Sequence, residues 1–273
     1  MSQIQQQPFS AQLKAVKLLI GMLKAVQFKQ IATCHIHEEG LTFTVSENQC
    51  IKAVVYAKSV MFERYHPGSD NIPPFDLHMG TLVDCLGILC PSGTLDECRI
   101  RYNGAGSPLE LTREDGSMRL TNICKLKTLD VEPDQLDVFM NDAENEQTVI
   151  MKASWLQDAL GDLDSTCEKV TIVFSDQDPC FQLFGTGANG TNSMTEYHED
   201  SSAEPFIAFE CSGEGTYRYL YSHISRCSKA LDQASDVSLN ISTEGVLSLL
   251  FKVGHNANDD AAYVEFTIIP CTE

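Results

Sequence analysis

The sequence predicts an α+β protein of two similar domains, each with two short helices packed on antiparallel sheets. Three observations lead there. Short runs of alternating apolar and polar residues recur along the chain and are broken by turn residues. Four segments carry the apolar spacing of an amphipathic helix, and none is long. At the midpoint the pattern gives way to TLDVEPDQLDVFMNDAENEQ, which is acidic, holds Pro133 and has the composition of a linker. The expected domains are 1–127 and 148–273, joined by a connector over 128–147. A chain of 273 residues has about the length of two ordinary domains.

Taken in order, the start MSQIQQQPFS lacks the basic-then-apolar order of a signal peptide and is expected to be a short frayed tail on an intracellular protein. A helix is expected over 12–27, where Leu13, Val16, Leu19, Ile20, Leu23 and Val26 follow helical spacing. Strands follow at IATCHIH, LTFTV and IKAVVYA, the first two joined by the turn Glu38-Glu39-Gly40. A second helix fits Met79 to Leu89, with Leu82, Cys85, Leu86 and Leu89 on its apolar side and Cys90-Pro-Ser-Gly as its stop. Hairpin strands resume at CRIRYN, LELTRE and MRLTNICKL. Beyond the connector, Ser154 is the expected cap of a helix over 154–164. Strands follow at KVTIVFS, PCFQLFG, MTEYHE, PFIAFEC and TYRYLYS, then a last helix over 222–233, and DVSLNIS, VLSLLFK and AYVEFTII close the chain. A faint echo pairs Ile36-His-Glu-Glu-Gly-Leu with Ile241-Ser-Thr-Glu-Gly-Val. Lys24 and Lys229 each precede the turn glycine by 16 residues, which sets the first helix against the last.

Charge narrows the function. There are 38 Asp and Glu against 19 Lys and Arg, a net charge of -19, which argues against nucleic-acid binding by the whole surface. A local basic strip survives that objection, because exposed charges more than about 8 Å apart are largely screened at physiological salt. Lys14, Lys17, Gly21 and Lys24 fall on the polar side of the first helix, whose first turn has no acid although the helix dipole favours one there. In the last helix Ser222, Arg226 and Lys229 lie opposite Ile224, Cys227 and Leu231. The second and third helices show Asp84, Asp158 and Asp162 instead, so the strip is partial.

Other chemistry finds little support. The eleven cysteines sit singly with no CxxC, the pattern of buried free thiols rather than of a disulfide framework or zinc site. No apolar run approaches the roughly 20 residues that cross a bilayer, so no membrane partner is expected. Gly185-Thr-Gly-Ala-Asn-Gly190 spells GxGxxG but opens no apolar helix, and reads as a loop. His35 and His37 share one strand face without a third ligand. Asp176-Gln-Asp178-Pro reads as a turn, and the acids are too dispersed for a two-metal nuclease. No cofactor is expected.

Four segments, ATCHIHEEGLTFTV, FDLHMGTLVDCLGIL, DPCFQLFGTGANG and YRYLYSHISRCSKAL, have the order and spacing of a known family. They resemble the Rad-one-type subunits of the DNA-damage checkpoint clamp, a heterotrimeric ring (the nine-one-one complex) related to proliferating cell nuclear antigen. The resemblance runs from about Phe9 to Cys271. It implies two sliding-clamp domains, each presenting two helices to a central hole and strands to a rim. Lys14, Lys17, Lys24, Arg226 and Lys229 would then face DNA. An edge strand over 118–124, with Met118, Leu120, Asn122 and Cys124, and another over 193–198, with Met194, Glu196, Tyr197 and His198, would join neighbouring subunits. The connector would dock partner peptides.

The implied partners are two different clamp subunits, checkpoint signalling and repair proteins, and double-stranded DNA threaded without sequence specificity. A separate ATP-driven clamp loader is implied too, since the chain has no P-loop. A nuclear location and no catalysis complete the expectation. The physics is consistent with it: a ring holds DNA by topology, so a few lysines suffice and no base readout is needed. The alternatives are a homotrimeric replication clamp, a metal-dependent 3′–5′ exonuclease, and an interaction protein of this fold that never encircles DNA.

Overall fold

The computed structural model describes residues 8–68, 72–91, 97–115, 120–131, 144–198, 204–253 and 262–271. The chain forms two compact units, one of Met1–Val45, Val54–Leu136 and Ala257–Tyr263, the other of Ser46–Ala53, Asp137–Asn256 and Val264–Glu273. In the first half the elements run β1 (Phe9–Leu13), α1 (Val16–Ala25), β2 (Ile31–His37), β3 (Gly40–Glu47), β4 (Ile51–Lys58), a 3-10 turn (Ser59–Met61) and β5 (Phe62–His66). Then come β6 (Phe75–His78), α2 (Met79–Leu89), β7 (Cys98–Tyr102), β8 (Leu109–Asp115), β9 (Leu120–Leu126) and β10 (Leu129–Asp130). The strands make one sheet of order β5-β1-β7-β8-β9 and a second run β6-β2-β3-β4, with β10 beside β6.

The second half runs β11 (Asn145–Lys152), α3 (Ala153–Gly161), β12 (Lys169–Phe174), β13 (Phe181–Thr186), β14 (Asn192–Tyr197), β15 (Phe206–Cys211) and β16 (Gly215–Leu220). It ends with α4 (Tyr221–Ile224), a 3-10 turn (Ser225–Cys227), α5 (Ser228–Leu231), β17 (Ala234–Ser242), β18 (Leu247–Val253) and β19 (Ala262–Ile268). Its strands follow the orders β15-β11-β17-β18-β19 and β16-β12-β13-β14. Counted from one within each half, both halves therefore read 5-1-7-8-9 and 6-2-3-4. The α+β class and the duplication are borne out.

The register of the repeat differs from the expected one. Topology pairs α1 with α3 and α2 with the α4–α5 helix, so Lys24 and Lys229 occupy different positions of the repeat. The echoing hexamers are two hairpins of different rank, β2–β3 and β17–β18. Their likeness reflects a shared turn requirement: Gly40 and Gly245 both take positive φ, 144° and 78°. At Gly40 a Cβ would also overlap the carbonyl oxygen of Ala57 on β4. The Tyr65 hydroxyl closes this hairpin, lying 2.6 Å from the carbonyl oxygen of His37 and 2.7 Å from that of Gly40.

Several expected boundaries move. Residues 9–13 are a strand rather than tail and helix start, with Phe9, Ala11 and Leu13 buried on alternate positions. Leu13 and Val16 are three apart, so one apolar spacing served both a strand end and a helix start. Ser154 does not cap α3; the N-cap is Lys152, which makes no side-chain cap bond. The last helix is interrupted by its 3-10 turn. β10 and the first residues of β11 occupy the two ends of the expected connector, and residues 132–143 lie outside the described residues.

Helix α1 buries Val16, Leu19, Met22 and Leu23 and packs on α2, which buries Leu82, Val83, Leu86 and Leu89. Full burial of each such side chain stabilises by about 1.5–3 kcal/mol. Six of the eleven cysteines (Cys34, Cys90, Cys98, Cys167, Cys180 and Cys227) are buried, whereas Cys50 is exposed. Burial pushes the Cys98 thiol up to about 12.

Candidate nucleic-acid interface

In the first unit, α1 turns its apolar stripe inward and leaves Lys17 and Lys24 exposed. They are seven residues apart, two turns along one face, or about 10.5 Å. Lys24 also lies in the last turn, where the helix dipole favours a cation. Lys14 is exposed but sits in the bend before the helix, where its backbone N–H donates to the carbonyl of Met61 at 3.4 Å. The helix position expected for Lys14 is thus corrected, because residues 9–13 pair as a strand with β5 and β7 and the helix starts only at Val16. The neighbouring helix α2 exposes Thr81, Asp84 and Ile88 and offers no cation.

In the second unit, Lys229 is exposed on α5. Arg226 is held differently. Its guanidinium pairs with the carboxylate of Glu47, the last residue of β3, which belongs to this unit, and the two side chains are only 29% and 23% exposed. Arg226 therefore differs from the exposed lysines: its charge is already met within the chain. His223, on the adjoining turn, has a buried Nδ1 without a hydrogen-bond partner, and burial, followed by the Arg226 cation, pushes its pKa down. On α3 the exposed groups are Ser154, Gln157 and Asp158, and Gln157 Nε2 donates to Asp232 Oδ1 at 2.6 Å, tying α3 to the end of α5. Glu47 is 179 residues from Arg226, and no sequence signal links the two.

The two strands expected at subunit boundaries are both terminal in their sheets. β9 ends the five-stranded sheet and, among the described residues, pairs only with β8, from Leu109↔Leu126 to Asp115↔Leu120. It exposes Leu120, Asn122 and Ile123, while Cys124 is half-buried and its thiol meets that of Cys85 on α2. Met118 lies outside the described residues. Among the described residues β14 pairs with β13 alone, from Phe181↔Tyr197 to Thr186↔Asn192. Met194 is 58% exposed, and Glu196 accepts from Gln182 Nε2 at 2.8 Å.

Tyr197 does not present its side chain at this edge. Strand alternation turns it into the core, where its hydroxyl donates to the carbonyl of Trp155 at 2.7 Å and burial pushes its pKa up to about 12. His198 lies one residue past β14, with Nδ1 2.7 Å from Asp178 Oδ2.

The remaining motifs resolve locally. In the loop 185–190 the N–H of Gly187 donates to Thr191, that of Ala188 to the Thr166 hydroxyl and that of Gly190 to Gly187, so these donors are not turned to a ligand. His35 and His37 stack on each other with centroids 5.7 Å apart. Among the described residues no three His, Cys, Asp or Glu side chains converge as a metal site, and no helix is long and apolar enough to cross a membrane.

Comparison with known proteins extends the picture. The sequence profile of the family described as "Repair protein Rad1/Rec1/Rad17" matches residues 8–253. The human "Cell cycle checkpoint protein RAD1" is 30% identical over 266 residues, covering 96% of this chain and 92% of the relative. The "DNA damage checkpoint control protein rad1" of Schizosaccharomyces pombe is 28% identical, covering 96% and 86%, respectively. The "DNA repair protein Rad1" of Drosophila melanogaster is 23% identical, covering 96% and 93%. The duplicated mixed α/β architecture accords with the sliding-clamp fold expected of such proteins.

Proposed function

The chain belongs to the Rad1/Rec1/Rad17 family of repair proteins, and on that premise we propose that it is a non-catalytic subunit of a heterotrimeric DNA-damage checkpoint clamp. In this reading two different clamp subunits complete a ring around duplex DNA in the nucleus, and a separate ATP-driven loader places it there. The ring then serves checkpoint signalling and repair proteins as a platform. The observation that carries the reading is the family match over 8–253, on a chain whose two halves share one strand order.

The physical chemistry supports it. Lys14, Lys17, Lys24 and Lys229 are exposed cations on an acidic chain, enough to favour passing phosphates without holding them. Arg226 has a smaller part, since a phosphate must compete with Glu47 for it. β9 and β14 each leave an unpaired edge that a strand of a neighbouring subunit can extend.

The test is co-expression with the two other clamp subunits, followed by loading on closed circular DNA. Lys14, Lys17 and Lys24 changed together to Ala should leave assembly intact and weaken retention, lowering the salt slope by about 0.9 per lost phosphate contact. Retention unchanged at every salt concentration would remove these lysines from the interface. A stable trimer of this chain alone would point to a homotrimeric clamp, and Mg²⁺-dependent release of nucleotides would point to a nuclease.

A further inference from the structure

Two half-buried thiols meet where α2 lies against the last strand of its sheet. Cross-strand partners share a sheet face, and the partner of Cys124 is the fully buried Leu111, so Cys124 is on the core side of β9. Along that side Leu120 and Asn122 are exposed, Cys124 is half-buried and Leu126 is buried, which places Cys124 at the margin of the core. Helix α2 packs against β8 and β9, and Arg113 Nη1 on β8 donates to the carbonyl of Leu89 at the helix end, 2.8 Å away. Cys85 projects from the flank of α2, between the buried Leu82 and Leu86 and the exposed Asp84 and Ile88. Its thiol is hydrogen-bonded to that of Cys124. Both are half-buried, whereas Cys98, which also lies near Cys124, is enclosed by the core.

We propose that Cys85 and Cys124 form a reversible disulfide when the protein meets a hydroperoxide, and that this bond weakens strand addition at β9. The second part rests on the clamp reading, in which β9 joins a neighbouring subunit. In the first step one thiolate attacks the peroxide. The O–O bond breaks, the sulfur becomes a sulfenic acid, and the released hydroxide takes a proton to become water. The other sulfur then displaces the sulfenic hydroxyl, which leaves with that thiol's proton as a second water, and the S–S bond closes. Two thiols thus give up two electrons and two protons, and one peroxide becomes two waters. Burial, and next the hydrogen bond with Cys124, push the Cys85 thiol up, so Cys85 keeps its proton and Cys124 is the sulfur that attacks.

The mechanical consequence follows from what holds each element. Thiols in hydrogen-bond contact lie farther apart than the about 2.05 Å of a disulfide, so closing the bond draws α2 and β9 together. The strand yields, because α2 is anchored by its buried Leu82, Val83, Leu86 and Leu89, whereas β9 has only β8 beside it among the described residues. A displaced edge no longer aligns its free N–H and C=O groups with an incoming strand.

The experiment treats the full chain with hydrogen peroxide, removes the peroxide, and reads the bond by intact mass and non-reducing peptide mapping. The expected result is a loss of about 2 Da, a linked peptide joining Cys85 to Cys124, and full reversal by dithiothreitol. Cys85→Ser and Cys124→Ser should each abolish the link, whereas Cys50→Ser, at an exposed cysteine elsewhere, should leave it. The oxidised chain should associate with the two other clamp subunits at least about fivefold more weakly than the reduced chain, and peroxide treatment of Cys124→Ser should change its association less than about twofold. Absence of the linked peptide overturns the proposal, and so does oxidation of both thiols to sulfinic acids in place of the bond. Equal association of the oxidised and reduced wild type overturns the effect on β9. Failure of the reduced chain to assemble removes the clamp reading and the effect on β9 with it, while the mapping still decides the bond.

Discussion

At the scale of single residues, the second unit's helical turn shows how much of a site lies outside the local sequence. Arg226 and Lys229 look alike in the sequence, three apart on one polar face, yet the first is paired with Glu47 and the second is exposed. The lysines were legible because helical spacing alone turns them outward; the ion pair was not, because its partner comes from β3. His223 sits against this pair, with its pKa lowered chiefly by burial and next by Arg226, while Glu47 opposes the shift. The folded protein thus binds that proton less readily than the unfolded chain, whose histidine titrates near 6.5. Its contribution is intact above about pH 6.5 and is lost as the pH falls through that value toward the lower folded-state pKa. Thermal melts over this window should show the wild type losing stability on acidification and His223→Gln losing less. Equal losses in both would show that the imidazole is not the group responsible.

At the scale of elements, the sequence marked most strands because half-buried strands alternate, as at Cys98–Tyr102 and Leu247–Val253. The strands it missed are short or lie where alternation is ambiguous: β1 merges with the helix spacing, β5 does not alternate, β6 is four residues long, β10 is two, and β11 begins inside the acidic stretch. Both terminal strands were read from the sequence pattern and their role as edges from family resemblance, and their chemistry shows why a free subunit is at risk. β9 carries Leu120 and Ile123 at 50% and 56% exposure, and β14 carries Met194, so each open edge is also sticky. A lysine on either edge should block strand addition there without touching the core. Ile123→Lys is expected to abolish association with one clamp partner and Met194→Lys with the other, and both should reduce self-association of the isolated chain in sedimentation. If both variants still form the full ring, the ring closes through other strands.

At the scale of the whole molecule, the duplication was legible as a vocabulary of helix, strand and turn but not in its register. A Glu-Gly hairpin recurs wherever a turn needs a glycine at positive φ, so hairpins of different rank can match in sequence without marking equivalent helices. With α1 matched to α3, one repeat-related helix is basic and the other acidic, as Lys17 and Lys24 face solvent on the first and Asp158 on the second. The duplicated fold therefore does not carry a duplicated charge pattern. Such a chain has little with which to grip DNA electrostatically, because few lysines are exposed on its helix faces. On the clamp reading proposed above, retention would then come from closure of the ring. The isolated chain should bind duplex more weakly than the ordinary nonspecific range of about 10⁻⁴–10⁻⁶ M at physiological salt. The assembled complex, once loaded, should stay on a closed circle through a high-salt wash and leave when that circle is cut. Salt-resistant binding to linear DNA by the chain alone would show that contacts, and not topology, hold the protein in place.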